Sequence, residues 1–262
     1  MKPITLIVLA KNEALHIERC LKSAKKIVLQ IIVVDSGSTD GTAELAEKLG
    51  AEVFVHPFKN QAEQFNWALD NLEIKSDWIL KLDADEYLTP ELADEIRKAV
   101  DSDSAANGYY IKRRVYFMGR WIKHGGYYPA WFLRLWRKGK GRSEDKEMDE
   151  HIVLLEGEVG RLKNDFADDN RKGLKEWFER HKNYSDREAR DVLKGGAANN
   201  SKRSFYYRLP PFLRPCLYFF YRFFIRLGFL DGKEGLIFHS LQGFWYRFLV
   251  DIKLFKARLK GK

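Results

Sequence analysis

Residues 77–88 read Asp-Trp-Ile-Leu-Lys-Leu-Asp-Ala-Asp-Glu-Tyr-Leu, an apolar strand that runs directly into two carboxylates one residue apart. Side chains two positions apart in an extended chain point to the same side, so Asp83 and Asp85 share a face. At the end of a buried strand they offer hard oxygen ligands to Mg²⁺ or Mn²⁺, which can neutralise a diphosphate. The alternative is a strand that ends in a solvated acidic turn, and this short motif alone does not decide between the two.

The first 100 residues alternate apolar runs with amphipathic segments. The pattern predicts strands at residues 4–10, 27–34, 53–56 and 77–82 and helices at residues 14–26, 40–49, 60–72 and 89–100. Such alternation predicts a parallel α/β sheet covered by helices, with ligands at the carboxyl ends of the strands. Polar clusters follow three strands, at residues 11–13, 35–40 and 83–85, and we expect them to converge.

The pattern changes after about residue 105. Strands are predicted at residues 108–118 and 131–136, around a loop rich in glycine and aromatic residues, which indicates an antiparallel extension of the sheet. A helix is predicted at residues 174–193, followed by an exposed connector at 194–204. We therefore predict an α/β domain at residues 1–200 and a separate helical region at residues 201–262.

The composition is that of a folded globular protein, with 45% hydrophobic and 32% charged residues among 262. Cys20 and Cys216 have no spacing typical of a metal or redox site, which favours a reducing cytoplasm and two buried thiols. The apolar run at residues 4–10 lacks a signal-peptide cleavage site, so we interpret it as a buried first strand.

The net charge of +9 is concentrated near the C-terminus. Residues 202–262 contain 13 Lys and Arg against 3 Asp and Glu, a net charge of +10, so residues 1–201 carry −1. The same segment holds 17 of the 37 aromatic residues. A mixture of cationic and aromatic side chains is typical of proteins that contact a phospholipid headgroup layer, whereas the excess of Phe over polar groups argues against nucleic-acid binding.

Two aromatic-rich helices are predicted within this segment, at residues 214–227 and 243–259. Arg214, Arg222 and Arg226 interrupt the first, which leaves no uncharged span of 18 residues. We predict a region that lies on a membrane surface; the alternative is that these helices pack on the first domain or form a dimer.

Carboxylates at the strand ends suit a nucleotide-sugar site. Asp35, after the second strand, is placed to accept the N–H of a pyrimidine, and Glu13, after the first, is placed to bind ribose or base edges. Asp83 would lie near the ribose and a metal ion, and Asp85 would bind the metal. The alternative for Asp35 is a turn-forming residue in a loop rich in Ser and Gly.

Residues 4–13, 32–42 and 80–86 together resemble the family 2 inverting glycosyltransferases with a GT-A fold. Residues 128–136, 231–239 and 241–248 are similar to bacterial lipopolysaccharide inner-core glycosyltransferases. The resemblance implies a GT-A domain that binds a UDP-sugar together with Mn²⁺ or Mg²⁺. It also implies transfer of a hexose, glucose as the first choice, to a lipid-linked acceptor at the cytoplasmic face of the bacterial inner membrane.

The resemblance also implies roles for individual residues. Nucleotide-sugar binding is expected at Leu9, Lys11, Glu13, Asp35, Gln64 and Asp83. Metal binding is expected at Asp85, Asp83 and a third ligand, Asp168, which stands where the resembled subgroup often has histidine. This departure leaves the third ligand open, and the alternative for Asp168 is an acidic cap before a helix.

An inverting transfer needs a general base that deprotonates the acceptor hydroxyl. The resemblance places it at Glu150, with Asp149 as the second choice; the alternative for this acidic run is a solvated loop. Acceptor binding is predicted at Tyr128, Trp131 and Arg134, because aromatic rings stack on sugars and guanidinium groups bind anions. Such an aromatic stripe is also typical of a core.

Two other functions stay open. A polyprenyl-phosphate sugar transferase would use a phosphate acceptor that needs no base. A non-catalytic adaptor would keep the nucleotide fold and bind lipopolysaccharide or a membrane, although the intact carboxylates at the strand ends argue against loss of activity.

Overall fold

The computed structural model describes residues 2–102, 105–144, 151–195 and 201–260. Its contacts divide the chain into two compact units. The first comprises Met1–Tyr116 and Pro129–Arg171, and the second comprises Phe117–Tyr128 and Lys172–Lys262. This division differs from the predicted boundary near residue 200, because the helix that begins at Gly173 and the loop 117–128 pack with the C-terminal helices.

The strands, in chain order, are β1 (Ile4–Ala10), β2 (Gln30–Asp35), β3 (Glu52–Val55), β4 (Trp78–Asp83), β5 (Glu86–Leu88), β6 (Ala106–Phe117), β7 (Arg120–Ile122), β8 (Ala130–Arg137), β9 (Gly141–Ser143), β10 (Ile152–Leu154) and β11 (Glu158–Asp168). The helices are α1 (Ile17–Ala24), α2 (Thr42–Lys48), α3 (Gln61–Asn71), α4 (Pro90–Asp101), α5 (Gly173–Leu193), α6 (Ser201–Arg208), α7 (Leu213–Phe220), α8 (Gly232–His239) and α9 (Tyr246–Lys260).

The sheet of the first unit has the strand order β3-β2-β1-β4-β8-β6-β11-β5. Strands β1 to β4 are parallel, and β8 runs antiparallel to both β4 and β6. β11 is parallel to β6, while β5 runs antiparallel to β11. The predicted α/β class, a mostly parallel sheet with an antiparallel extension, is therefore confirmed.

The first strand lies inside this sheet, and all seven of its residues are buried. Because successive side chains of a strand alternate, Leu6 and Val8 pack with Ile17 of α1 on one face. Ile7 packs with Phe65 of α3 on the other face. Burial on both faces explains why the run is continuously apolar, as is typical of parallel strands covered by helices.

The second unit is held by a buried carboxylate on α5. Glu188 accepts hydrogen bonds from the hydroxyls of Tyr207 and Tyr246, at 2.8 and 2.5 Å, and lies 2.6 Å from the guanidinium of Arg247. Burial acts to raise the pKa of Glu188, but Arg247 and the tyrosine hydroxyls outweigh it and the pKa is lowered. The ionised carboxylate therefore joins α5, α6 and α9.

The loop 117–128 is fixed to α8 by a glycine and a buried histidine. Gly125 has φ +66°, and a Cβ atom at this position would lie 2.0 Å from Cε1 of His239. Beside it, His124 pairs with Asp231, with 2.7 Å between Nδ1 and Oδ1. Only glycine fits this backbone and this contact.

The C-terminal helices differ in detail from those predicted. α7 continues as a short π-helix at Tyr221–Ile225, and a second short π-helix at Ser240–Trp245 precedes α9. α8 occupies a stretch for which no helix was predicted, because residues 228–232 were interpreted as a turn and Gly235 has low helix propensity. Within the described ranges, no helix combines the length and the apolar character that crossing a bilayer requires.

Two buried histidines make the second unit sensitive to acid. Burial lowers the pKa of His181 to about 4 and that of His239 to about 4, from an ordinary value of 6.5. The folded unit thus keeps both rings neutral while the unfolded chain takes up protons. Their contribution to stability is complete above about pH 6.5 and is lost as the pH falls toward 4.

We therefore expect the melting temperature to fall between pH 6.5 and 4.5, and we expect His181→Gln to make this fall shallower, because Gln takes up no proton on unfolding. Circular dichroism melts across this range measure the slope, with the exposed His151, changed to Gln, as the control. A slope that is unchanged in His181→Gln would contradict the assignment.

Candidate active site

Asp83 ends β4 between two cations. One carboxylate oxygen lies 3.2 Å from the ammonium of Lys81, and the other lies 3.4 Å from the guanidinium of Arg134. Burial acts to raise the pKa of Asp83, but the two cations outweigh it and hold the pKa well below its ordinary value. The side chain stays 26% exposed, so Asp83 is an ionised carboxylate that a ligand can reach.

Arg134, predicted to bind the acceptor, has a different position. It is 5% exposed and lies 2.6 Å from Oε1 of Glu86. Oε2 of Glu86 accepts the backbone N–H of Asp83 at 2.9 Å. Burial, followed by the charges of Asp83 and Asp168, raises the pKa of Glu86 to about 8, although Arg134 acts in the other direction. Arg134 therefore positions the acidic residues rather than facing a sugar.

Asp85, the second carboxylate of the pair, is fixed by the segment after β11. Asn170 donates its side-chain N–H to Oδ2 of Asp85 at 3.0 Å, and Asp169 donates its backbone N–H to the Asp85 carbonyl at 3.1 Å. Arg19 of α1 donates to the carbonyls of Asp85 and Asp169, at 3.3 and 2.6 Å. The turn after β4 is thus held from two directions.

Glu13 is oriented by a buried histidine. Its carboxylate lies 2.6 Å from Nδ1 of His16, a residue with no exposed surface. Nε2 of the same ring accepts the backbone N–H of Arg171 at 2.8 Å. Because Nε2 accepts, the ring proton is on Nδ1 and is donated to Glu13.

Asp35 holds the loop after β2, as the alternative interpretation expected. It is 2% exposed and accepts the backbone N–H groups of Gly37 and Ser38, at 2.8 and 2.7 Å, together with the Ser38 hydroxyl at 2.5 Å. A carboxylate has about four acceptor sites, and three of those of Asp35 are used within the loop.

The loops after β1 and β2 interlock. Asn12 has φ +54°, and its side-chain oxygen accepts the backbone N–H of Thr39 at 2.8 Å while its own N–H donates to the Ser38 hydroxyl at 2.7 Å. Lys11 donates to the carbonyls of Ser36 and Gly37, at 2.9 and 2.5 Å. The two loops therefore form one rigid edge at the carboxyl ends of the strands, the carboxyl rim.

Two further predicted nucleotide-sugar residues lie beneath this rim. The side chain of Leu9 is in the core, and its backbone is in register with Asp83 of β4. Gln64 is 1% exposed and donates to the Ser36 hydroxyl at 2.7 Å. Both support the loops from below, and Leu9 can meet a ligand only through its backbone.

The donor chemistry fits a hard divalent ion. Asp83 and Asp85 supply carboxylate oxygens, and Mg²⁺ is commonly held by one or two carboxylates while phosphates and water complete its shell. In the described ranges, no three His, Cys, Asp or Glu side chains group closely enough to form a metal site. Asp168 pairs with Arg113 at 3.4 Å and is in register with Glu86, so it does not complete a triad with Asp83 and Asp85.

The remaining predicted residues belong to different parts of the chain. Glu150 and Asp149 lie outside the described residues. Tyr128, in the second unit, makes an edge contact with Trp121 at 5.1 Å between ring centroids. Trp131, in the first unit, is half-buried between the cations of Lys112 and Arg161, at 5.5 and 5.1 Å from its ring. Its binding face is thus already covered by positive charge.

Sequence reasoning missed four residues of this site: His16, Arg19, Glu86 and Asn170. The spacing of Glu13 and His16, three residues apart at a helix start, is the one local signal that could have linked a pair. Arg19 and Asn170 reach Asp85 across 66 and 85 positions of sequence, a distance that no local pattern reports.

The mostly parallel sheet with carboxylates at the ends of its strands is consistent with a GT-A fold. The sequence model of glycosyl transferase family 2 matches residues 5–153. The chain belongs to this family and is a glycosyltransferase.

Proteins that are similar over nearly the whole chain are also named glycosyltransferases. A protein named "Uncharacterized glycosyltransferase" from Rickettsia felis is 30% identical over all of this chain and 93% of its own length. The "Lipopolysaccharide core biosynthesis glycosyltransferase LpsC" of Rhizobium meliloti is 26% identical over 97% of this chain and 92% of its own length.

Solved structures match over less than half of the chain. Mannosyl-3-phosphoglycerate synthase from Rubrobacter xylanophilus is 23% identical, with a TM-score of 0.38 over 43% of this chain and 40% of that one. Glucosyl-3-phosphoglycerate synthase from Mycobacterium tuberculosis, solved with Mn²⁺ and UDP-glucose, is 23% identical, with a TM-score of 0.37 over 44% of each chain.

The interlocked loops give a test of local strain. We expect Asn12→Ala to lower the free energy of unfolding by about 2 kcal/mol, because Ala loses the bond to Thr39 and tolerates left-handed backbone poorly. Asn12→Gly loses the same bond without the strain, so we expect its free energy of unfolding to fall by about 1 kcal/mol. Urea denaturation measures both; equal losses would show that the backbone at Asn12 is unstrained.

Proposed function

We propose that this glycosyltransferase moves a hexose, glucose as the first candidate, from a UDP-sugar to a hydroxyl of a membrane-linked glycan such as the lipopolysaccharide inner core. The observation that carries the proposal is the pair Asp83 and Asp85 at the carboxyl rim of a family 2 chain, with Asp83 held ionised by Lys81 and Arg134. The full-length similarity to a relative named for lipopolysaccharide core biosynthesis supports the acceptor class.

The nucleotide would bind at the interlocked loops. Asp35 would accept a pyrimidine N–H, and Glu13 is held by His16 for a ribose or base contact. Lys11 and Asn12 keep the loop backbone rigid, so little ordering entropy is lost on binding. A rigid rim of this kind suits recognition of UDP.

Asp83 and Asp85 would hold Mn²⁺ or Mg²⁺ through their carboxylate oxygens. When bound, the ion supplies positive charge against the departing diphosphate. The chain's own contribution is to keep Asp83 ionised through its two cations and to fix the Asp85 turn through Asn170.

The transfer is a direct displacement with inversion at the anomeric carbon. Glu150, or Asp149 as the second choice, takes the proton of the acceptor hydroxyl as its oxygen bonds to the anomeric carbon. The bond from that carbon to the diphosphate oxygen breaks, and UDP leaves with the electron pair. One carboxylate is sufficient, because no covalent enzyme intermediate forms.

A membrane-linked acceptor implies where the enzyme works. We place it peripherally at the cytoplasmic face of the bacterial inner membrane, where nucleotide sugars meet lipid-linked glycans. The charge of +10 over residues 202–262 supports contact with an anionic surface.

We expect Glu150→Gln to lower kcat by at least about 100-fold while UDP affinity is kept, because the base acts on the acceptor alone. The donor is first chosen from a panel of UDP- and GDP-sugars with Mn²⁺ or Mg²⁺, scored by hydrolysis and melting-temperature shift. Glu147→Gln, in the same acidic run, is the matched control.

The rival functions give different results. If Glu150→Gln and Asp149→Asn both keep full activity, a phosphate acceptor that needs no base is favoured, as in a polyprenyl-phosphate sugar transferase. If calorimetry finds no metal-dependent UDP affinity in the native chain, the transferase proposal fails and a non-catalytic adaptor is favoured.

A further inference from the structure

The second unit exposes apolar side chains in one segment. Among the residues that the structure describes, ten of the 25 large hydrophobic side chains that are exposed fall within residues 212–230. They are Phe212, Leu213, Leu217, Phe220, Tyr221, Phe224, Ile225, Leu227, Phe229 and Leu230. A contiguous apolar patch of this kind marks an interaction surface rather than ordinary scatter.

The polarity of α7 is reversed relative to a helix that faces water. Leu217, Phe220 and Phe224 follow helical spacing and are 45, 53 and 48% exposed. The charged residue of the same helix, Arg214, is 4% exposed and pairs with Asp251, with 2.8 Å between Nε and Oδ1. The buried side of the helix thus carries charge while its outer side is apolar, which favours an apolar medium outside.

The charged residues within this segment have one sign. Residues 201–230 contain six Lys and Arg and no Asp or Glu. Arg226 is exposed within the patch, and Arg222 lies over the ring of Tyr127, 4.1 Å from its centroid. Cationic side chains beside exposed aromatic rings suit the phosphate and acyl boundary of an anionic bilayer.

We propose that residues 212–230, the docking segment, insert their apolar side chains into the surface of an anionic bilayer. This deepens the proposed function, on which its purpose rests, by naming the surface that holds the enzyme to its lipid-linked acceptor. A second copy of the chain is the less favoured occupant, because residues 212–230 carry the exposed cation Arg226 and no Asp or Glu, so self-pairing of this segment would bring like charges together.

The test uses the full chain and sedimentation with vesicles of phosphatidylcholine, with and without phosphatidylglycerol. The triple variant Phe220→Ser, Phe224→Ser and Ile225→Ser should bind anionic vesicles at least about tenfold more weakly. The matched control changes three exposed apolar residues of the first unit, Leu29→Ser, Val55→Ser and Phe58→Ser, and should bind as the native chain does. Arg226→Gln should bind the vesicles with phosphatidylglycerol about fivefold more weakly. Its binding to vesicles of phosphatidylcholine alone should not change.

Three results would overturn this proposal. One is a native chain that binds neither vesicle, and another is a triple variant that binds as well as the control. The third is a native dimer that the triple variant converts to monomer, without any vesicle binding, in light scattering. Donor hydrolysis in the same samples separates the two proposals, because vesicle binding does not require turnover.

A second observation, in the first unit, concerns His16. Its ring joins Glu13 to the backbone of Arg171, in the same segment whose Asp169 and Asn170 hold Asp85. We infer that His16 is a positioning residue whose bond to Glu13 sets that carboxylate for the nucleotide. This role also rests on the proposed UDP donor.

Two variants separate the two bonds of the ring. His16→Asn keeps an N–H donor near the Nδ1 position toward Glu13, whereas His16→Gln keeps an acceptor near Nε2 toward Arg171. We expect UDP affinity, measured by calorimetry, to stay within about twofold in His16→Asn and to fall about tenfold in His16→Gln. Melting temperatures should fall similarly in both.

Equal UDP affinity in the two variants would show that His16 is structural only and would overturn this role. A native chain that binds no UDP would overturn it together with the proposed donor. A fall in affinity confined to His16→Asn would assign the important bond to Arg171 instead, and would also contradict the inference.

Discussion

The acidic turn between β4 and β5 depends on one buried cation. Arg134 of β8 lies between Glu86 of β5 and Asp83 of β4, at 2.6 and 3.4 Å. Removing Arg134 would take a hydrogen-bond donor from both acidic side chains at once. This guanidinium therefore helps to set the position of the acidic turn and, together with Lys81, the charge of Asp83.

Rigidity at the rim comes from hydrogen bonds between segments that are distant in sequence. The loops after β1 and β2 share bonds through Asn12 and Lys11, and the segment after β11 reaches both Glu13, through His16, and Asp85, through Asn170. Three loops that would each be mobile alone thus support one another. Such preorganisation lowers the entropy lost when a ligand binds.

The sequence predicted the first half of the fold well because its signals are local. The apolar run Ile4–Ala10 has the predicted bounds, and Thr89 with Pro90 begins α4 as expected. The sequence did not predict β11, because its charged residues obscure the alternation of a strand. It did not predict α8, because its glycines obscure the periodicity of a helix. Both are fixed by tertiary packing instead.

The site residues also differ in whether local sequence signals could predict them. Asp83, Asp85, Glu13 and Asp35 could be found because strand ends are visible in sequence. The burial of Arg134 could not, because a guanidinium in a strand of alternating pattern reads equally as a ligand for a sugar phosphate or as a partner for a distant carboxylate. Only the tertiary contact between Arg134 of β8 and Glu86 of β5 decides it.

The contact between Gly125 and His239 constrains how this protein can evolve. With 2.0 Å between a Cβ at residue 125 and the imidazole carbon, neither position can change independently. A homologue with a residue other than glycine at 125 would need both a smaller residue on α8 and a different loop backbone, so the two segments should change together across the family. The loop and the C-terminal helices are therefore inherited together and would not survive exchange between distant homologues as separate modules.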